Sequence, residues 1–130
     1  MRPECFARKV LIVEDDEAGR THLVETLKRE GVAPIEAADG MTGLLLFREE
    51  KPDLVILDAR LPVLDGNEVL RRIKSGPISR RTPVIFLTEH DEEPQATRSR
   101  AVGADFYLAK PYNLANLLSI IERSLTGSTE

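Results

Sequence analysis

Five residues spread along the chain have side chains that together suit one kind of chemistry: Glu14, Asp15, Asp58, Thr88 and Lys110. Three are carboxylates. Held close together, carboxylates repel, and at least one pKa must rise unless a cation neutralises them. A cluster of oxygen ligands without His or Cys suits Mg²⁺, with Mn²⁺ as the alternative; Mg²⁺ keeps several waters and bridges phosphate oxygens. Lys110 offers a phosphate a point charge, and Thr88 a hydroxyl donor. These parts match the demands of phosphoryl transfer, where charge spreads over the equatorial oxygens and catalysis is positioning plus neutralisation. A carboxylate such as Asp58 is ionised at neutral pH and can act as the nucleophile, forming an acyl phosphate.

The chain must bring these residues together, and each sits at the end of a short apolar run. "VLIVEDDEAGR" drives apolar residues 10–13 straight into Glu14 and Asp15, "LVILDARLP" ends at Asp58, "VIFLTEH" reaches Thr88, and "FYLAKPY" reaches Lys110. Apolar runs cover residues 10–13, 54–57, 84–87 and 106–109, with a weaker one around 34–38. Continuous apolar runs, rather than alternation, predict strands covered on both faces, hence a parallel sheet between layers of helices. Helical stripes lie between them. Leu23, Val24 and Leu27 mark the first, stopped near Gly31, and Leu44, Leu45 and Phe47 a short second. Val69, Leu70 and Ile73 mark the third, ended by Gly76 and Pro77. A fourth, poorly patterned helix is expected over 92–102. Leu114, Leu117, Leu118, Ile121 and Leu125 form the clearest stripe, with Asn113 as its N-cap. The pattern is βα repeated five times. Open α/β sheets bind ligands at the carboxyl ends of their strands, near the point where strand order reverses, and there the acids are expected.

The 130 residues suit one compact unit. Hydrophobic content of 42% and charged content of 31% are those of a globular domain with a core. A net charge of −4 gives no electrostatic case for nucleic acid binding. No apolar run is long enough to span a bilayer, and "MRPECFARK" does not read as a secretory signal. The single cysteine, Cys5, excludes an internal disulfide and fits a reducing, cytoplasmic setting.

With "LIVEDDE", "LDARLPVLDG", "PVIFLTEH" and "GADFYLAKPYN" in this order, the chain resembles the CheY-like receiver domains of two-component response regulators, from about Lys9 to Leu125. Residues 1–8 and 126–130 are then an extension and a tail. The resemblance implies a doubly wound, flavodoxin-like three-layer sandwich with a parallel five-stranded sheet in order 2-1-3-4-5. It makes Asp58 the phosphoacceptor and gives the metal to Glu14, Asp15, Asp58 and the backbone carbonyl of Arg60. Thr88 and Lys110 would contact the phosphoryl group, Tyr107 would report activation, and Lys110–Pro111 would be a cis peptide. Pro62, Asp65 and Gly66 match the turn into the third helix. Asp16 and Glu17 would face solvent or start the first helix. Arg60, Glu89 and His90 fall where the family tunes the lifetime of the phosphorylated state. Glu89 departs from the pattern, since the residue after the switch threonine is usually small; a pair between Glu89 and Arg60 would gate access to Asp58.

The phosphodonor implied is a sensor histidine kinase or a histidine phosphotransfer protein. The response would be a changed affinity for a downstream protein at the face of the fourth helix, fifth strand and fifth helix. The domain would be a monomer or a phosphorylation-dependent dimer, stand-alone or a piece of a longer regulator, and not itself an enzyme acting on other molecules. The competing reading from the same fold is a pseudo-receiver serving as a constitutive interaction module, which predicts missing acids; here all are present. A flavodoxin needs a hydroxyl- and Gly-rich phosphate loop after the first strand, the electrostatic opposite of "EDDEAGR". A haloacid-dehalogenase-type phosphatase needs a second Asp where Arg60 stands. Taken singly, Glu14 and Asp15 read as helix caps, Thr88 as a strand-end hydroxyl and Lys110 as a solvated lysine; the spacing of all five argues otherwise. His22 and His90 have no metal-pair spacing, and "SRRTP" reads as a solvated loop.

Overall fold

The structure is a computed structural model that describes residues 8–89 and 103–126. Five strands, β1 (Lys9–Val13), β2 (Ala33–Ala37), β3 (Leu54–Asp58), β4 (Val84–Glu89) and β5 (Phe106–Lys110), form one sheet in the order β2-β1-β3-β4-β5. Every neighbouring pair is parallel. The helices are α1 (Glu17–Arg29), α2 (Gly40–Glu50), α3 (Gly66–Ser75) and α4 (Leu114–Thr126), with a 3-10 turn at Ser79–Arg81. The helix expected over 92–102 lies outside the described residues, as does His90.

The unbroken apolar runs have a simple cause. Alternate residues of each inner strand enter opposite cores. Val10, Ile12, Leu54, Ile56, Ile85 and Leu87 pack with Leu23, Leu27, Leu117 and Ile121 of α1 and α4. Leu11, Val13, Val55, Leu57, Val84 and Phe86 pack with Leu44, Phe47, Val69 and Ile73 of α2 and α3. Each such side chain contributes roughly 1.5–3 kcal/mol by leaving water, which keeps the middle of each inner strand apolar and leaves polar residues to the strand ends. β2 reads weakly because it is an edge strand whose residues up to Glu36 are at most part-buried. It spans 33–37, one residue earlier than expected. Pro34 is tolerated there because an edge position needs no donor on its open side.

Three aspartates start the first three helices. Asp16 accepts from the Gly19 N–H at 2.8 Å, Asp39 from Thr42 at 2.7 Å and Asp65 from Asn67 at 3.1 Å. Each occupies an orphan donor of a first turn. Asn113 does the same for α4 through the Asn116 N–H, as its position predicts. Gly31 follows α1 at φ +82°, a left-handed residue that a side chain would strain. Leu44, Leu45 and Phe47 all lie on α2 as expected, with Leu44 and Phe47 buried and Leu45 51% exposed. Three apolar residues in a row cannot all face inward on a helix.

β1 lies between β2 and β3, so the chain runs outward from β1 to β2, then back past β1 to β3 and on. Connections leaving the carboxyl ends of β1 and β3 diverge, which leaves a crevice between them.

Candidate functional site at the carboxyl edge of the sheet

β1 ends at Val13, so Glu14 is the first residue past the strand, and Asp58 is the last residue of β3. Both strands drive their carboxylates into the crevice, where each is only 4% exposed. Lys110, the last residue of β5, reaches between them. Its Nζ donates to Glu14 Oε1 at 2.8 Å and to Asp58 Oδ2 at 2.9 Å. The remaining oxygens are held by backbone: Glu14 Oε2 accepts from the Asp16 N–H at 3.1 Å and Asp58 Oδ1 from the Arg60 N–H at 3.2 Å. Thr88 is buried near the end of β4, one position beyond Leu87, the register partner of Asp58. The five residues singled out from sequence therefore converge on one edge of the sheet.

The electrostatics follow from this crowding. Burial pushes the Glu14 carboxyl up, the neighbouring Asp58 carboxyl pushes it further, and the bond from Lys110 offsets only part of the rise. For Lys110, burial pulls the pKa down, but its bonds to Glu14 and Asp58 outweigh burial and hold the ammonium firmly charged. Glu14, Asp15 and Asp58 each place a carboxylate oxygen within 4.8 Å of the other two. Asp15 is exposed, at the open side of the cluster. Three hard oxygen donors, two of them already bridged by a cationic side chain, fit a hard divalent cation with water in its remaining positions.

A cleft of about 480 Å³ opens over the site, lined by Glu14, Asp16, His22, Glu89, Lys110 and Tyr112 among others. Glu89, the register partner of Lys110 across β4 and β5, is among these lining residues. Tyr107 is part-buried on β5 and stacks edge-on against Phe86, centroids 6.2 Å apart. The Lys110–Pro111 peptide is cis, as the resemblance implies. Asp16 caps α1, so the capping alternative for Glu14 and Asp15 belongs to the next residue.

Two features escape a reading of sequence. Arg20 lies across the start of α1, with its Nη1 donating to the Glu14 carbonyl at 2.7 Å and its Nε to Glu36 Oε1 at 3.1 Å. An arginine on a helix most often faces water, so nothing in the chain marks it. Gly66 sits where a Cβ would lie 2.1 Å from the Asp58 carbonyl oxygen. A glycine opening a helix is only a weak signal of such close approach.

The fold and this crevice define a class: a flavodoxin-like α/β domain with an acidic, lysine-bridged site at its topological switch point. The chain belongs to the response regulator receiver domain family, whose model matches residues 10–122. It is similar to the transcriptional regulatory protein AfsQ1 of Streptomyces coelicolor, 42% identical over 93% of this chain and 54% of that protein. It is also similar to sporulation initiation phosphotransferase F of Bacillus subtilis, 34% identical over 90% of this chain and 93% of that protein. Among solved structures it resembles the receiver domain of a Pseudomonas aeruginosa sensor histidine kinase with a magnesium ion coordinated in its active-site cleft. That likeness has a TM-score of 0.83 and 31% identity, covering 92% of this chain and 98% of that one. The chain spans about half the length of transcriptional regulators such as AfsQ1. It is a receiver domain of the two-component response regulators, with a regulatory role. Its acid cluster fits the family's magnesium site, and its complete set of acids disfavours a pseudo-receiver. No helix among the described residues is long and apolar enough to cross a membrane.

Proposed function

We propose that residues 9–125 form a phosphorylation-controlled switch in which Asp58 accepts a phosphoryl group from phosphohistidine on a sensor kinase or phosphotransfer protein. The observation that carries this is the Lys110 ammonium bridging Glu14 and Asp58 in a buried crevice. An Asp58 oxygen forms the new P–O bond as the P–N bond breaks, and the imidazole leaves with the electron pair. Lys110 and the Thr88 hydroxyl meet the oxygens of the incoming group, and the Arg60 N–H keeps the Asp58 carboxylate oriented. Mg²⁺, held by Glu14, Asp15, Asp58 and the Arg60 carbonyl, would neutralise charge on the phosphoryl oxygens; Mn²⁺ can take the same ligands. Water attacking phosphorus later releases phosphate and restores the carboxylate, so the domain promotes its own phosphorylation and dephosphorylation.

Tyr107 and Thr88 are proposed to pass the change to a face that includes β5 and α4; the remainder of that face, over 92–102, lies outside the described residues. A downstream protein reads it, in a cytoplasmic setting, from a monomer or a phosphorylation-dependent dimer. The domain itself is acidic and is proposed not to bind nucleic acid, whatever follows it in a longer regulator.

Intact-protein mass spectrometry after incubation with acetyl phosphate tests the acceptor. A Mg²⁺-dependent gain of one phosphoryl group in the wild type, absent in Asp58→Asn, is the expected outcome. An adduct that persists in Asp58→Asn sinks the assignment. Pairing of Glu89 with Arg60 over the site is the proposed brake on access, and His90 is proposed to tune the lifetime of the phosphorylated state. Phosphorylation and dephosphorylation rates of Glu89→Ala, Arg60→Ala and the double variant should be non-additive in ln k; strict additivity removes the pair.

A further inference from the structure

We infer that Arg20 is a positioning residue for the Glu14–Asp15 pair, acting through the peptide that joins them; this rests on the metal-site reading above. The Glu14 backbone is where β1 hands over to α1. Its N–H donates to the Ala37 carbonyl at 3.0 Å, and its carbonyl accepts from Arg20 Nη1 at 2.7 Å. Arg20 is in turn held by Glu36, the residue before Ala37. β2 contributes no acid to the cluster, yet it fixes Glu14 from both sides, directly through Ala37 and indirectly through Glu36 and Arg20.

The consequence falls on Asp15. Its carboxylate has no hydrogen bond among the described residues, unlike those of Glu14 and Asp58. Its place in the cluster is therefore set by its backbone, and that backbone begins at the carbonyl Arg20 holds. The guanidinium suits this task because its donors point in fixed directions, so one group serves the carbonyl and the Glu36 carboxylate together. The Arg20 side chain is 16% exposed, which leaves it little freedom.

Charge and positioning make opposite forecasts. Arg20 is a cation near the acids, so removing it for charge reasons alone would tighten binding of a second cation. If it positions the ligands, removing it loosens binding. Mn²⁺ titration followed by electron spin resonance reads the difference. Arg20→Gln should weaken Mn²⁺ about tenfold, the low end of what groups orienting metal ligands supply. Arg20→Lys should recover part of the loss. Glu36→Gln should weaken binding by less, because half of that carboxylate is in water. Unchanged or tighter Mn²⁺ in Arg20→Gln overturns the inference, including the case where only its urea midpoint falls. If Arg20→Gln does not fold, unchanged affinity in Glu36→Gln overturns it. Wild type that binds no Mn²⁺ defeats the metal-site reading and the role of Arg20 with it; binding lost in Asp58→Asn but kept in Arg20→Gln defeats the role of Arg20 alone.

Discussion

Lys110 shows how a single side chain reconciles burial with charge. Glu14 and Asp58 have side chains only 5% and 6% exposed, and two ionised carboxylates at that depth need a counter-charge. Removing one partner of a buried ion pair leaves the other uncompensated. Lys110→Ala should therefore cost about 3 kcal/mol in metal-free buffer, at the lower end for buried pairs because Lys110 keeps some contact with water. Millimolar Mg²⁺ should return a larger share of stability to the variant than to the wild type. Urea unfolding with and without Mg²⁺ measures both, and equal Mg²⁺ increments would separate the lysine from the cation site. At this scale the sequence was informative, because Glu14, Asp58, Thr88 and Lys110 all terminate apolar runs. It was silent on Arg20, whose partners, a carbonyl and an edge-strand acid, are adjacent only after folding.

At the scale of elements, the join between β3 and α3 carries a tight constraint at the end of the strand that bears Asp58. The Gly66 N–H donates to the Ala59 carbonyl at 3.0 Å, and a Cβ there would meet the Asp58 and Ala59 carbonyl oxygens at 2.1 and 2.7 Å. Both obstacles are backbone at the end of β3 and cannot swing aside. Gly66→Ala should destabilise by roughly 1–3 kcal/mol, as overpacked sites do, and should weaken the thermal response to Mg²⁺ as well, since the displaced strand end is the one bearing Asp58. A fully retained Mg²⁺ response would show that α3 gives way instead. Element existence was readable where two-sided burial made the apolar runs continuous, as in β1, β3 and β4. Boundaries were not. β4 extends to Glu89 because its ladder with β5 continues to Lys110, a pairing that residue types do not announce. β2 was faint for the opposite reason, having one solvent-facing side.

For the whole molecule, a cation held by the acid cluster would couple occupancy of the site to the stability of the fold. A ligand that binds only the native state stabilises it by mass action, about 2.7 kcal/mol at a concentration of 100 times Kd. The melting temperature should climb with Mg²⁺ and keep climbing past saturation of the site, and the climb should vanish in Asp15→Asn with Asp58→Asn. A flat melting temperature in the wild type counts against the site. The two cores share the same strands, so stabilisation at one edge is felt by helices on both faces of the sheet.

Pro34 bears on how the molecule behaves in a crowd. Along β2 the backbone groups of Ala33 and Ala37 turn inward, bonding to Arg8 and Glu14. Strand alternation therefore turns those of Pro34 and Glu36 toward the open edge. An exposed edge is a template on which foreign strands can polymerise. Here one outward position has no N–H to offer and the next carries a negative charge. The strand that frames the acidic pair is, on its other side, a barrier against runaway self-association.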